Sequence, residues 1–552
     1  MLKSNAFTFN KLKNYVDWKL LIFLVLFLNI KMPVKILAIV FIYLMQFNFK
    51  FGFKFKNPRL PLFYLLIIPV AFIGLLINKS YQDNNYLLVF FTGIGFWVLA
   101  ILAIHQIKLL VERTENEKIH GTIIAFFIIN ALVSVANLVL IMYKTGSINP
   151  YTFRGMYQTY FIMTGDYIKG LSFDISSTNA VLSAFGVIYF LDKKLPVMLF
   201  ICMVTLLLTC SNLINLMFLF VMLILFILKS SRDQKSLIVI CLMLFLVFML
   251  KITPQNTHYS EEAINSALHI KNKVQNKSVT ALIVPITQRP DSTLNPEEKR
   301  QKIATLYLDS IYAAKKQQFK PEPGLAKSVP ITDKGRVYIA PHDTTSEDNY
   351  ISKQMEPDRK LMLDFIDTHK ADLPLSTKTD YFPPLPGKVT GMVQTLTFLH
   401  KHPVKAIAGM GIGNFSSKIA FRATGLGIRG QYPENHTYIN RAFLTNHLDL
   451  YMSFFSKEVG FRSVKNNPFS VYDQLLAEYG LLGLLALVIF YLGFFAKYIK
   501  VLTYGLPLLA LLMMFFCIDY WFEQLSVIVF FELMLLLNIK ETTNKVKLSY
   551  GS

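Results

Sequence analysis

The chain has 552 residues, of which 53% are hydrophobic and 14% aromatic, and only 16% carry charge. An average soluble domain carries roughly 25% charged residues. With a mean hydropathy of +0.42, this composition excludes a disordered chain, a collagen, a disulfide scaffold and an ordinary soluble enzyme. It indicates a polytopic membrane protein with a substantial polar part.

Apolar runs of about the length that crosses a bilayer lie near 18–31, 33–49, 60–78, 86–104, 121–143, 173–191, 195–210, 212–228 and 236–251. Three more lie near 479–497, 501–518 and 521–538. The expectation is an all-α integral membrane protein with about twelve transmembrane helices. Charge supplies a second line of reasoning. With a cytoplasmic N-terminus, the cytoplasmic pieces carry Lys3, Lys11 and Lys13, then Lys50, Lys54, Lys56 and Arg59, then Lys108, Arg113 and Lys118. Lys193 and Lys194, Lys229, Arg232 and Lys235, Lys497 and Lys500, and Lys540, Lys545 and Lys547 follow on the same side. The opposite loops are charge-poor, which is the positive-inside pattern. Lys31 and Lys35 are the exception. The net charge of +21 therefore reads as a record of orientation facing membrane lipid. It is spread over loops and not gathered in a groove, so nucleic acid is not expected as a partner.

This parity divides the chain into an N-terminal bundle of about nine spans (1–251), a large extracytoplasmic, periplasmic loop (252–470), and a C-terminal part of about three spans with a cytoplasmic tail (471–552). Inside the loop, Asn295, Pro296, Glu297 and Glu298 mark a helix start that runs through Ile303, Leu306 and Ile311. The loop is expected to be mostly helical with irregular segments, and up to about residue 390 it reads as a spacer or elaboration. Residues 391–470 are denser in Gly, His, Arg, Tyr and Asn. Cys202, Cys210, Cys241 and Cys517 all fall in apolar runs and read as small buried hydrophobes. No phosphate-binding GxxxxGK[ST] loop, HExxH or GxSxG occurs.

Two motifs stand about 60 residues apart: Gly409-Met410-Gly411-Ile412-Gly413-Asn414-Phe415, and Tyr472-Asp473-Gln474-Leu475-Leu476-Ala477-Glu478-Tyr479-Gly480-Leu481-Leu482-Gly483. Together with the layout of the spans, they resemble the O-antigen ligase and polysaccharide polymerase family of bacterial inner membranes. The resemblance implies a glycosyltransferase of the cell inner membrane. It would move a glycan from a polyprenyl-diphosphate (undecaprenyl diphosphate) carrier to a sugar hydroxyl on a glycan or lipid acceptor, in surface polysaccharide synthesis. It implies no metal, no nucleotide sugar and no other cofactor. Arginines would hold the diphosphate, and a periplasmic His would help activate the acceptor. Two departures stand out. The position where ligases usually carry that His is Phe469, followed by Ser470, and Ser211-Asn212 stands where relatives often have Ser-Arg.

The planar fork of arginine suits phosphate oxygens. The candidate substrate-binding residues are therefore Arg154, Arg422, Arg429 and Arg441, with Gln474 and Glu478 from the second motif. His is the usual base near neutral pH, so the catalytic candidates are His447, His436 and the acid Asp473, with Asp449 placed to orient His447. Glu478 also reads as a first-turn acid at a helix start. Glu532 is an ionisable group expected to face the protein interior. Asp174 and Asn179 suggest a polar cavity opening outward. The alternatives are a lipid-glycan transporter or assembly partner without catalysis, or a family member that has lost it.

Overall fold

A computed structural model of the chain describes residues 15–29, 31–48, 50–54, 58–152, 164–173, 175–228, 230–253, 386–425, 434–448, 450–451 and 467–550, with a few isolated positions besides. Every regular element among them is helical. The first nine helices are α1 (Trp18–Phe27), α2 (Met32–Met45), α3 (Phe63–Ile77), α4 (Asn84–Arg113), α5 (Asn116–Thr145), α6 (Ser176–Asp192), α7 (Pro196–Leu208), α8 (Asn212–Leu228) and α9 (Arg232–Val247). After the long polar stretch come α10 (Gly387–Lys401), α11 (Pro403–Ala408), α12 (Lys418–Ala423) and α13 (Arg441–Asn446). The last four are α14 (Val471–Ala486), α15 (Gly505–Phe515), α16 (Trp521–Gln524) and α17 (Ser526–Tyr550). A helix occurs within each of the twelve apolar runs. Four of them, in α4, α5, α9 with its π-helical extension to Ile252, and α14 with its extension to Ala496, are long and apolar enough to cross a membrane. Another six are apolar but shorter.

Local chemistry explains the helix starts. Asp83 Oδ1 accepts from the backbone N–H groups of Asn85 (2.8 Å) and Tyr86 (3.2 Å) and so caps α4. Ser231 and Gln234 form a reciprocal capping box at α9. The bundle packs around two helices that bury every face. All of α6 from Ser176 to Leu191 is buried, as is α17 from Ser526 to Leu537. A helix that is apolar all round belongs at the centre. Around α17 lie α4, α6 and α15, and α14 packs on α3. Lys35, the exception to the charge pattern, is 1% exposed. Its ammonium donates to the carbonyl of Phe27 (2.6 Å), at the C-terminal end of α1, and to Ser526 Oγ (3.3 Å). It is a cation held at a helix end, so it carries no information on loop charge.

Two sequence expectations change here. The helix assigned to begin at 479 begins at Val471, and Asp473, not Glu478, is its first-turn acid. The helix is also broken: Gly480 has φ 66° and ψ −165°, far from helical values. Glu478 thus sits just before a break. Asn179, expected to line a polar cavity, is buried and engaged by its neighbours. Asn179 accepts from Asn130 Nδ2 (2.8 Å) and donates to Ser134 Oγ (3.0 Å) and the Ile168 carbonyl (3.1 Å). Asp174 and the helix expected from Asn295 lie outside the described residues. Cys202, Cys210 and Cys241 are buried free thiols, and Cys517 is half-buried.

The break fixes a demand on side-chain size. A Cβ on Gly480 would stand 2.4 Å from the Ile407 carbonyl oxygen and 2.5 Å from the Gly409 nitrogen, with φ already in the left-handed region. Gly480→Ala should lower stability by about 2 kcal/mol or more, read as a fall in the thermal midpoint of the detergent-purified chain. Gly95→Ala, in α4 with no atom within 4 Å of the added Cβ, should be neutral or stabilising by up to about 1 kcal/mol. Equal midpoints for the two variants would contradict this.

Candidate functional site

The two sequence motifs meet. The Met410 N–H donates to the Ala477 carbonyl and the Gly411 N–H to the Glu478 carbonyl, each at 2.9 Å. These are carbonyls that the break at Gly480 removes from the helical ladder. The Phe415 N–H donates to Glu478 Oε1 at 3.3 Å. The glycine segment is wedged in closely enough that a Cβ on Gly409 would fall 2.3 Å from the Glu478 carbonyl, and one on Gly413 would fall 2.4 Å from Val89. Tyr438 OH donates to Asn414 Oδ1 (2.9 Å), and Asn414 Nδ2 donates to the Met410 carbonyl (2.8 Å), which fixes the far side of the loop.

Where the glycine segment ends, a buried polar cluster begins. Ser416 Oγ donates to Asp473 Oδ2 at 2.6 Å. His447 Nε2 lies 3.3 Å from the same oxygen and 3.5 Å from Thr395 Oγ1. His447 is fully buried, with its ring on Phe415 at 4.8 Å. Ser416 Oγ also meets Tyr520 OH (3.1 Å), which meets Tyr451 OH (2.6 Å). A second set of charges adjoins the first. Lys418 Nζ pairs with Asp519 Oδ1 at 2.7 Å, and Gln474 Nε2 donates to Glu523 Oε1 at 2.5 Å. Glu523 lies in the field of Glu478, Lys418, Arg422 and Asp519. Gln474 and Glu523 line a small cavity with Trp97, Ile412, Tyr479 and Phe522. Several buried polar atoms here have no partner among the described residues: His447 Nδ1, Asp473 Oδ1, Gln474 Oε1, Glu478 Oε2 and Glu523 Oε2. Such atoms are costly without a partner, and in native proteins they mark places where a polar group or water is received.

The candidates named from sequence separate accordingly. His447, Asp473, Gln474 and Glu478 come together in this cluster, with Arg422 half-buried at its edge, within electrostatic reach of Glu523 and Tyr432. His436 is exposed in the turn Glu434–His436 and makes no bond to the cluster. Arg441 lines a different cleft. Arg154, Arg429 and Asp449 lie outside the described residues. The carboxylate beside His447 is Asp473, contributed by another helix. Glu532 is buried and accepts from Tyr64 OH (2.9 Å), away from the cluster. Ser416, Lys418, Asp519, Glu523 and Tyr520 went unnamed in the sequence. Asp519 and Glu523 carried a signal, since acids at the edge of an apolar run are rare.

Phe469 occupies the position of the expected His. Its ring packs on Tyr451 (5.5 Å) and Tyr520 (5.2 Å), and the Lys418 ammonium lies over it at 5.2 Å. No family model, curated protein or solved structure matches the chain.

Lys388, on α10, ties the cluster to the chain around it. Its Nζ donates to Asn467 Oδ1 (2.6 Å) and to the carbonyls of Phe469 (2.6 Å) and Ile518 (2.8 Å). Lys388 is half-buried, and burial pushes its ammonium down to about 7 against the opposing pull of Asp519. A cation whose folded pKa is depressed is taken up more readily by the unfolded chain, so stability rises with pH between the folded and unfolded values. The thermal midpoint should therefore climb from pH 7 towards pH 10 in the wild type, and that slope should be absent from Lys388→Met. A wild-type slope that is flat or falling relative to the variant would show that the ammonium stays charged throughout.

Proposed function

We propose that the protein is a membrane glycosyltransferase of the O-antigen ligase and polymerase type. On this reading the chain crosses the membrane about twelve times, with residues 252–470 on the periplasmic side. It takes glycan from a polyprenyl-diphosphate carrier. The observation that carries the reading is the docking of the Gly409–Phe415 segment onto the broken helix at Ala477–Gly480. The two motifs behind the resemblance are one structural unit, and the polar cluster is built on it.

The chemistry follows from the groups present. The acceptor hydroxyl oxygen forms a bond to the anomeric carbon while the bond from that carbon to the diphosphate oxygen breaks. The electron pair leaves with the lipid diphosphate. Arg422, and Lys418 if it turns from Asp519, would neutralise the developing negative charge. The hydroxyl proton would pass to His447, whose Nε2 faces Asp473 and whose Nδ1 has no partner among the described residues. A carboxylate that fixes one imidazole nitrogen and leaves the other free to take a proton is the general arrangement of an oriented base. Ser416 shares the same carboxylate oxygen and would hold Asp473 in place.

The broken helix also favours a second reading, because interrupted helices near the membrane midplane are characteristic of transporters. Transfer and transport are separable in inverted vesicles loaded with lipid-linked glycan and acceptor. On the enzyme reading, His447→Ala and Asp473→Asn each cost roughly 100-fold or more in transfer, and Arg422→Ala costs at least about tenfold. Wild-type transfer in all three variants would exclude this site. Movement of glycan without transfer would favour the transporter.

A further inference from the structure

A second cleft, of about 330 Å³, is lined in part by Met410 of the glycine segment. Its described lining residues include His402, Lys405 and Arg441, with the neutral polar side chains of Asn78, Asn440 and Thr445. The cleft sits where the end of α3 meets α11. Ala408 packs on Gly74, and Asn78 Nδ2 donates to the Gly409 carbonyl at 3.0 Å. At this junction the apolar residues point outward: Leu76 is 63% exposed, Ile77 45%, Val404 62% and Ile407 56%. Basic and polar groups in a concavity beside an exposed apolar strip are what an amphiphile with an anionic head would bind.

We propose that this cleft holds the phosphate headgroup of an anionic phospholipid, with its acyl chains along Leu76, Ile77, Val404 and Ile407. The assignment rests on the membrane reading above but not on the glycosyl transfer. A free anion would use only the polar half of the site, and a neutral lipid only the apolar half. Burial already pushes the Lys405 ammonium down from its ordinary value, and an anion beside it reverses that cost. The lipid would thereby brace α11, whose following residues Gly409–Gly411 lie against the helix break.

The test uses the full chain purified in detergent, offered phosphatidylglycerol, phosphatidylcholine or inorganic phosphate. Retained lipid is counted by native mass spectrometry. Phosphatidylglycerol should be retained at least about fivefold more than phosphatidylcholine, and each cation removed should cost about fivefold. Lys405→Gln/Arg441→Gln should lose the preference, while Lys497→Gln, exposed elsewhere, should keep it. Should the double variant fold poorly, Arg441→Glu alone, at an exposed position, should show the same loss. Equal retention of the two lipids, unchanged retention in Arg441→Glu, or displacement of the lipid by millimolar phosphate would overturn the assignment. None of these readouts involves glycan, so failure of the transferase reading leaves them interpretable.

Discussion

A helix that stops in an apolar environment leaves carbonyls with nothing to accept from, and each unsatisfied group costs several kcal/mol there. The break at Gly480 creates that situation, and a segment about 70 residues earlier in the chain resolves it. Met410 and Gly411 supply N–H groups to the carbonyls of Ala477 and Glu478. The close approach requires glycine on both sides, since a Cβ on Gly409 would collide with Glu478 and one on Gly480 with Ile407 and Gly409. The two motifs are thus reciprocal: neither conformation is satisfied without the other. The chain between them is then held to return to the same place, which brings His447 and Ser416 to Asp473.

The same constraint sets the electrostatics. Asp473, Glu478, Asp519 and Glu523 are each 9% exposed or less, and four acids at that depth could not coexist without compensation. Lys418 pairs with Asp519, Gln474 donates to Glu523, and Ser416 donates to Asp473. Compensation is incomplete, because one oxygen on each of Asp473, Glu478 and Glu523 has no partner among the described residues. A purely structural network would gain by closing those gaps. Keeping them open fits a site that receives polar groups, since functional sites are where a fold retains local cost.

Hydropathy was enough to locate the helices because each apolar run must satisfy its backbone internally. It failed at the start of α14, where the run was read from 479. Residues 471–478 bury the polar groups of Asp473, Gln474 and Glu478 among apolar ones, so the half-helix that carries the site is the part that looks least like a span. It also failed for Lys35, whose charge is bound to a helix end and not to a loop. His447, Asp473, Gln474 and Glu478 were recognisable by residue type and proximity to the motifs. Their pairing was not, because the partner of His447 is 26 residues away and no local spacing encodes it. Asn179 misled for the opposite reason: its amide is saturated by neighbours from another helix and a loop.

Phe469 shows how such a network constrains its own chemistry. A His at that position would stand between Tyr451 and Tyr520 and beneath the Lys418 ammonium. A cation over an aromatic face is stabilised by the ring's quadrupole, whereas the same cation beside an imidazole disfavours its protonation. Phe469 therefore supports Lys418, and Lys418 in turn holds Asp519. Placing an imidazole there would weaken the pairing that compensates a buried acid while adding a base that Lys418 keeps from accepting a proton. With Phe at 469, the described imidazole that faces a carboxylate in this cluster is His447, and charge compensation favours an aromatic hydrocarbon over an imidazole beneath Lys418.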